Sequence, residues 1–145
     1  NTIKISKILK EEKFYGLENV KSYKKFFEEI NISSERTKSL IKKILSKKMT
    51  IHGYGASTKG NVLLQYLNIT QREIKFIAER NPIKYNKFTP GSSIKIISEK
   101  KSRSLNPDYY FVLPWHFKNE ILKREKNIRK KGTKFIFPLP RLKIL

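Results

Sequence analysis

Between residues 53 and 61 the chain reads Gly53-Tyr54-Gly55-Ala56-Ser57-Thr58-Lys59-Gly60-Asn61, a run whose residue types suit an anion. Glycine permits a sharp turn and a close backbone approach. If a helix starts within the run, its first amides point at the anion and the helix dipole favours it. Ser57 and Thr58 add hydroxyl donors and Lys59 an ammonium. The spacing therefore predicts a phosphate-binding turn made of Gly53, Gly55, Ala56, Ser57, Thr58, Lys59 and Gly60. A structural turn without a ligand fits the same pattern. It is not a Walker A loop, because Lys59 precedes Gly60 and no Ser or Thr follows to hold magnesium. It also departs from G-x-G-x-x-G, with Thr58 in the third glycine position.

Two further groups are candidates for binding. Glu79, followed by Arg80 and Asn81, ends an apolar run where dinucleotide folds place an acid against ribose hydroxyls. A strand-end Glu that meets solvent or Arg80 is the alternative. Trp115 and His116 follow the run Tyr109 to Leu113. Either the indole stacks on a base or sugar and the imidazole meets a phosphate, or Trp115 packs as a lid and His116 caps the next helix. His52 reads as structural. With no Cys, no G-x-S-x-G elbow, no H-E-x-x-H and no motif-like carboxylate pair, no residue is assigned as catalytic and no metal is expected.

Those candidates need elements to hold them. From Met49 onward, short apolar runs alternate with helical segments. Met49 to His52, Ile74 to Ala78, Tyr109 to Leu113 and Lys134 to Phe137 read as strands, and Lys59 to Leu67 and Phe117 to Lys131 as helices. The last helix offers Glu120/Arg124 and Glu125/Arg129 pairs at i,i+4 and ends at Gly132. Such alternation predicts an α/β fold, a Rossmann-like parallel sheet flanked by helices over 49–145. Residues 1–48 read as a helical arm of two or three helices, broken at Gly16 and again at Asn31 to Ser34. The connection from Arg80 to Lys95 is long enough to suggest a functional loop.

The net charge is +21, which alone suggests a polyanion partner, so a basic nucleic-acid-binding module is one alternative function. Residues 1–48 carry 13 Lys and Arg against 6 Asp and Glu, and 49–145 carry 20 against 6, so the excess is spread along the chain as on a solvated Lys-rich surface. Nucleic acid is therefore not the expected partner. A free-standing NAD-type Rossmann protein is a further alternative, weakened by the missing third glycine. No apolar run approaches the length that spans a bilayer, so a cytoplasmic protein with no membrane partner is expected.

The run from Gly53 to Leu64 resembles the motif that opens the C-terminal domain of the sugar C-methyltransferases, enzymes that add a branch methyl to nucleotide-linked deoxysugars. Further blocks agree in order: Glu79-Arg80-Asn81-Pro82-Ile83-Lys84, then Thr89-Pro90-Gly91, Asn106-Pro107-Asp108-Tyr109, Pro114-Trp115-His116-Phe117, and Gly132 to Pro140. The chain differs from the family pattern at Glu79, where Asp is common, and at Tyr85-Asn86, where Gln-Gly is common. The resemblance implies a domain that helps hold a nucleoside-diphosphate sugar. It also implies an upstream methyltransferase domain that binds S-adenosylmethionine and supplies the proton-abstracting residues, with a zinc-binding module before that. No cofactor is expected in these residues themselves.

Overall fold

The computed structural model describes residues 2–145. They form two compact units, divided between Glu35 and Arg36. This division falls earlier than Met49, where strand texture begins in the sequence.

The first unit contains α1 (Thr2–Phe14) and the start of α2 (Val20–Ser46). Gly16 turns the chain between them at φ +66°, and Asn19 caps α2 by accepting from the Lys21 amide at 2.9 Å. The expected break at Asn31 to Ser34 does not occur, since α2 runs unbroken to Ser46. Asn and Ser lower helix propensity only mildly. The spacing of three and four continues through Thr37, Ile41 and Ile44, all buried.

The second unit is a six-stranded sheet in the order β3-β2-β1-β4-β5-β6. Its strands are β1 (Ile51–Tyr54), β2 (Ile77–Glu79), β3 (Ile96–Ser98), β4 (Tyr109–Val112), β5 (Lys134–Phe137) and β6 (Lys143–Ile144). The first five are mutually parallel and β6 returns antiparallel to β5. Helices α3 (Thr58–Tyr66), α4 (Glu99–Ser104), α5 (Lys118–Arg124) and α6 (Lys126–Lys130) join them. The α/β fold class and its parallel sheet agree with the sequence pattern.

Period-two alternation puts a core on each face. Ile51, Phe111 and Ile136 pack with Ile41 and Ile44 of α2 and Leu64 of α3. Tyr54, Tyr110, Val112, Phe135 and Phe137 pack with Ile121 and Ile128 on the other side. His52 lies on this second face, 3% exposed, with Nδ1 2.8 Å from Ser102 Oγ, which in turn meets the Tyr110 hydroxyl at 2.9 Å. Burial pushes its pKa down to about 4.

Several boundaries moved, each for a local reason. Residues 49 and 50 precede β1 because the Asp108 carboxylate takes the Thr50 amide at 2.7 Å and its hydroxyl at 3.0 Å. Strands β3 and β6 and helix α4 were not anticipated. The long connection is ordered, folding back on itself through a Phe88–Lys95 bridge that delivers the chain into β3. The helix expected over 117–131 is three pieces, a 3-10 turn at Trp115–Phe117, then α5, then α6. It bends at Glu125, whose side chain turns inward. Thus the expected i,i+4 pairs give way to others. Arg124 pairs with Glu99, and Glu125 with Arg103.

Gly60 shows how tightly α3 seats against the sheet. A Cβ there would lie 2.5 Å from Leu113 Cβ, so the third-glycine packing role falls two residues after Thr58. Alanine gains about 1 kcal/mol of helix propensity, but the clash with a buried neighbour costs about 1–3 kcal/mol. Gly60→Ala should therefore be destabilising by about 1 kcal/mol in urea melts.

His52 makes stability depend on pH. Its folded pKa lies below its unfolded value of 6.5, so its contribution is complete above pH 6.5 and declines as pH falls towards 4. One proton gives a slope approaching about 1.4 kcal/mol per pH unit. The fall in unfolding free energy between pH 6.5 and 4 should be shallower in His52→Asn, measured by denaturant titration at each pH.

Candidate functional site

At the carboxyl ends of β1 and β4, where the strand order reverses direction, the second unit holds an open cavity of about 370 Å³. This is the crevice in which open parallel sheets bind ligands. Tyr54, Gly55, Ala56 and Ser57 line one side, Pro114, Phe117, Glu120, Ile121 and Arg124 another, and Glu79, Arg80, Lys84 and Glu99 the rest.

The glycine turn is shaped by a conformation and a close approach. Gly55 has φ +80°, and a Cβ on it would meet Pro114 Cγ at 2.7 Å. Ser57 caps α3, its Oγ accepting from the Gly60 amide at 3.0 Å. The amides of Gly55, Ala56 and Ser57 have protein acceptors already. Gly55 donates to Ala78 O at 2.8 Å, Ser57 to Gly55 O at 2.9 Å, and Ala56 to Glu79 Oε2 at 2.7 Å.

Glu79 is held by the backbone around it. Its Oε1 accepts from the amides of Arg80 and Asn81, both at 2.9 Å, so both carboxylate oxygens are engaged by the backbone. It ties the glycine turn to the loop after β2. Asn81 caps the following 3-10 turn, Pro82–Lys84, by accepting from the Ile83 amide at 3.1 Å. That turn carries Lys84 back to the cavity, where Nζ donates to Ala56 O at 2.7 Å and stands 3.9 Å from Glu79 Oε2.

Of the sequence candidates, Gly55, Ala56, Ser57, Glu79 and Arg80 line the cavity together. Gly53 and Gly60 are buried beneath it, and Thr58 and Lys59 are exposed and not part of the lining. Trp115 is half-buried against the second core, and His116 is exposed beside Phe117 at 4.3 Å. Asn81, Trp115 and His116 do not line the cavity. Lys84, Glu99 and Arg124 were missed. Asn81-Pro82 was the available signal for Lys84, since a cap and a proline start a tight turn. Arg124 had none, because its i,i+4 spacing pointed to Glu120.

Beneath the cavity lies a paired charge network. Tyr54 donates to Glu125 Oε1 at 2.6 Å and accepts from Arg124 at 2.5 Å. Arg103 binds both oxygens of Glu125, one of them at 3.0 Å through Nε, and also reaches Glu99 at 2.8 Å. Arg124 donates to Glu99 Oε1 at 2.8 Å and lies over the Tyr54 ring. Burial opposes ionisation of Glu125, but hydrogen bonds from Arg103 and Tyr54 and the charges of both arginines outweigh it and hold its pKa low. Burial and the bond to Glu125 push the Tyr54 hydroxyl upward, so it stays protonated. The network orients groups and does not move protons near neutral pH. Among the described residues no group of three or more His, Cys, Asp or Glu is placed to hold a metal ion, and no helix is long and apolar enough to cross a membrane.

Tyr54→Phe would leave Glu125 and Arg124 each short of one partner. A cost of about 1–2 kcal/mol is expected, because a buried carboxylate loses a charge-assisted bond while the half-exposed Arg124 regains water. A melting temperature unchanged from the parent chain would refute this linkage.

The chain is 30% identical over 141 residues to the C-methyltransferase NovU of Streptomyces niveus, an alignment covering 97% of this chain and 34% of that protein. The chain thus spans about a third of the length of this relative. A family model described as the C-methyltransferase C-terminal domain matches residues 1–140, and the chain belongs to that family.

Proposed function

We propose that these residues form the substrate-binding C-terminal domain of an S-adenosylmethionine-dependent sugar C-methyltransferase. The domain holds a nucleoside-diphosphate sugar, and an upstream domain of the same protein binds the methyl donor. The observation that carries this reading is the cavity at the reversal of strand order, lined by Gly55 and Ser57 together with Arg80, Lys84 and Arg124. A diphosphate offers charge-assisted acceptors to those cations, and the sugar offers hydroxyls to Glu120 and Ser57. NovU, a C-methyltransferase by name, supports the reaction class.

Methyl transfer to carbon requires a base that removes a proton next to a carbonyl and a donor held close to the resulting carbanion. The chemistry of the donor is supplied elsewhere. What these residues do is bind and orient: Glu79 and Lys84 fix the turn, and Arg124 is fixed by Tyr54 and Glu99. Calorimetric titration with thymidine diphosphate and its deoxysugar conjugates should give a dissociation constant in the micromolar to millimolar range. Methylated product should not form from residues 1–145 alone with S-adenosylmethionine and substrate. The absence of heat with every nucleoside diphosphate would overturn the binding role, and product from these residues alone would overturn the division of labour.

A further inference from the structure

The glycine turn is the place where a Rossmann-like sheet usually meets phosphate, yet the amides of its cavity-lining residues already have protein acceptors, and the first amides of α3, those of Thr58 and Lys59, belong to residues outside the lining. The amides of Gly55, Ala56 and Ser57 have protein acceptors, and those of Gly60 and Asn61 are taken by Ser57 Oγ and O. Glu79 brings a carboxylate to the Ala56 amide, so an anion placed there would meet a like charge at short range. Lys59, the cation within the motif, is exposed and does not line the cavity.

We propose that the anion subsite of this domain is built from side chains across the cavity, with Lys84 and Arg124 gripping a diphosphate and Arg80 assisting, in place of the glycine-turn amides and Lys59. The proposal rests on the nucleotide-sugar reading for the identity of its ligand. Lys84 spends one N–H on Ala56 O at 2.7 Å, and an ammonium has three. Its contact with Glu79 at 3.9 Å is too long for a hydrogen bond, so donors remain for a ligand.

Arg124 is better prepared still. One terminal nitrogen, Nη2, makes both its bonds, to Tyr54 at 2.5 Å and Glu99 at 2.8 Å, while Nε lies 3.6 Å from Glu125. The guanidinium carbon is 5.6 Å from the centre of the Tyr54 ring, which holds the plane in place. Nη1 has no acceptor among the described residues. A guanidinium plane already fixed through Nη2 pays little ordering cost when a phosphate takes Nη1.

The test is titration of the intact protein with inorganic pyrophosphate and with thymidine diphosphate, comparing the parent with Lys84→Ala, Arg124→Ala, Arg124→Lys and Lys59→Ala, each checked by thermal melting. Lys84→Ala and Arg124→Ala should each weaken both ligands about tenfold or more, and Arg124→Lys should stay weak because one ammonium cannot keep the Tyr54 and Glu99 bonds and also present the fixed Nη1 donors to a phosphate. If Arg124→Ala does not fold, Lys84→Ala and Arg124→Lys carry the comparison. Parent-like binding by the Lys84 and Arg124 variants with loss confined to Lys59→Ala would overturn the proposal, as would a parent that binds neither ligand. Equal affinity for pyrophosphate and thymidine diphosphate, lost in the Lys84 and Arg124 variants, would uphold this subsite and overturn the nucleotide-sugar reading.

Discussion

Where β1 and β2 end, Glu79 brings a carboxylate that is 9% exposed to three backbone amides, those of Ala56, Arg80 and Asn81. The buried Ala56 amide would be costly without an acceptor, and a buried ionised carboxylate would be costly without donors. Each satisfies the other. The result fixes the path of the glycine turn relative to the loop after β2, and with it the position of Lys84, whose ammonium closes the ring through Ala56 O.

The second face of the sheet follows a similar rule on a larger scale. Glu125 is nearly inaccessible, and a lone buried carboxylate would neutralise or unfold its surroundings. Two arginines and a tyrosine hydroxyl keep it charged. That requirement bends the chain between α5 and α6, because Glu125 must point inward from a segment whose pattern favours a straight helix. The bend in turn brings Arg124 over the cavity. Satisfying a buried charge thus places a group that contacts the ligand space.

The parts of this arrangement that were legible in the sequence are those governed by local chemistry. The glycine turn, the first helix after it and the parallel α/β alternation follow from residue type and period. Gly60, Lys84 and Arg124 are different. The need for glycine at 60 comes from Leu113, just after β4, the place of Lys84 from a carboxylate on β2, and the orientation of Arg124 from Glu99 and Tyr54. Apart from Glu79, five residues before Lys84, those partners are far away in sequence. Strand β3 was hidden for the same reason, since Ile96 and Ile97 form a strand only because the hairpin at Phe88 and Lys95 delivers them beside β2. Glu79 stands at the expected strand end; the amides of Arg80 and Asn81 that it accepts from are its sequence neighbours, whereas that of Ala56 is brought to it by the fold.

Charge balance across the cavity follows from these pairings. Three carboxylates, Glu79, Glu99 and Glu120, share the lining with Arg80, Lys84 and Arg124, so a net charge of +21 over the chain does not make the cavity a general trap for anions. Three unpaired cations in so small a space would repel one another and destabilise the empty site. Pairing removes that repulsion but leaves an incoming anion in competition with carboxylates, and in an open cavity water weakens every contact as well. Covering the opening lowers the local dielectric and strengthens the new contacts and the existing pairs together. Selectivity then depends on geometry: a ligand gains only where it meets the free edge of Arg124 and the unspent donors of Lys84 without displacing Glu99 or Glu79, a demand that a rigid span of two phosphates meets better than a single small anion.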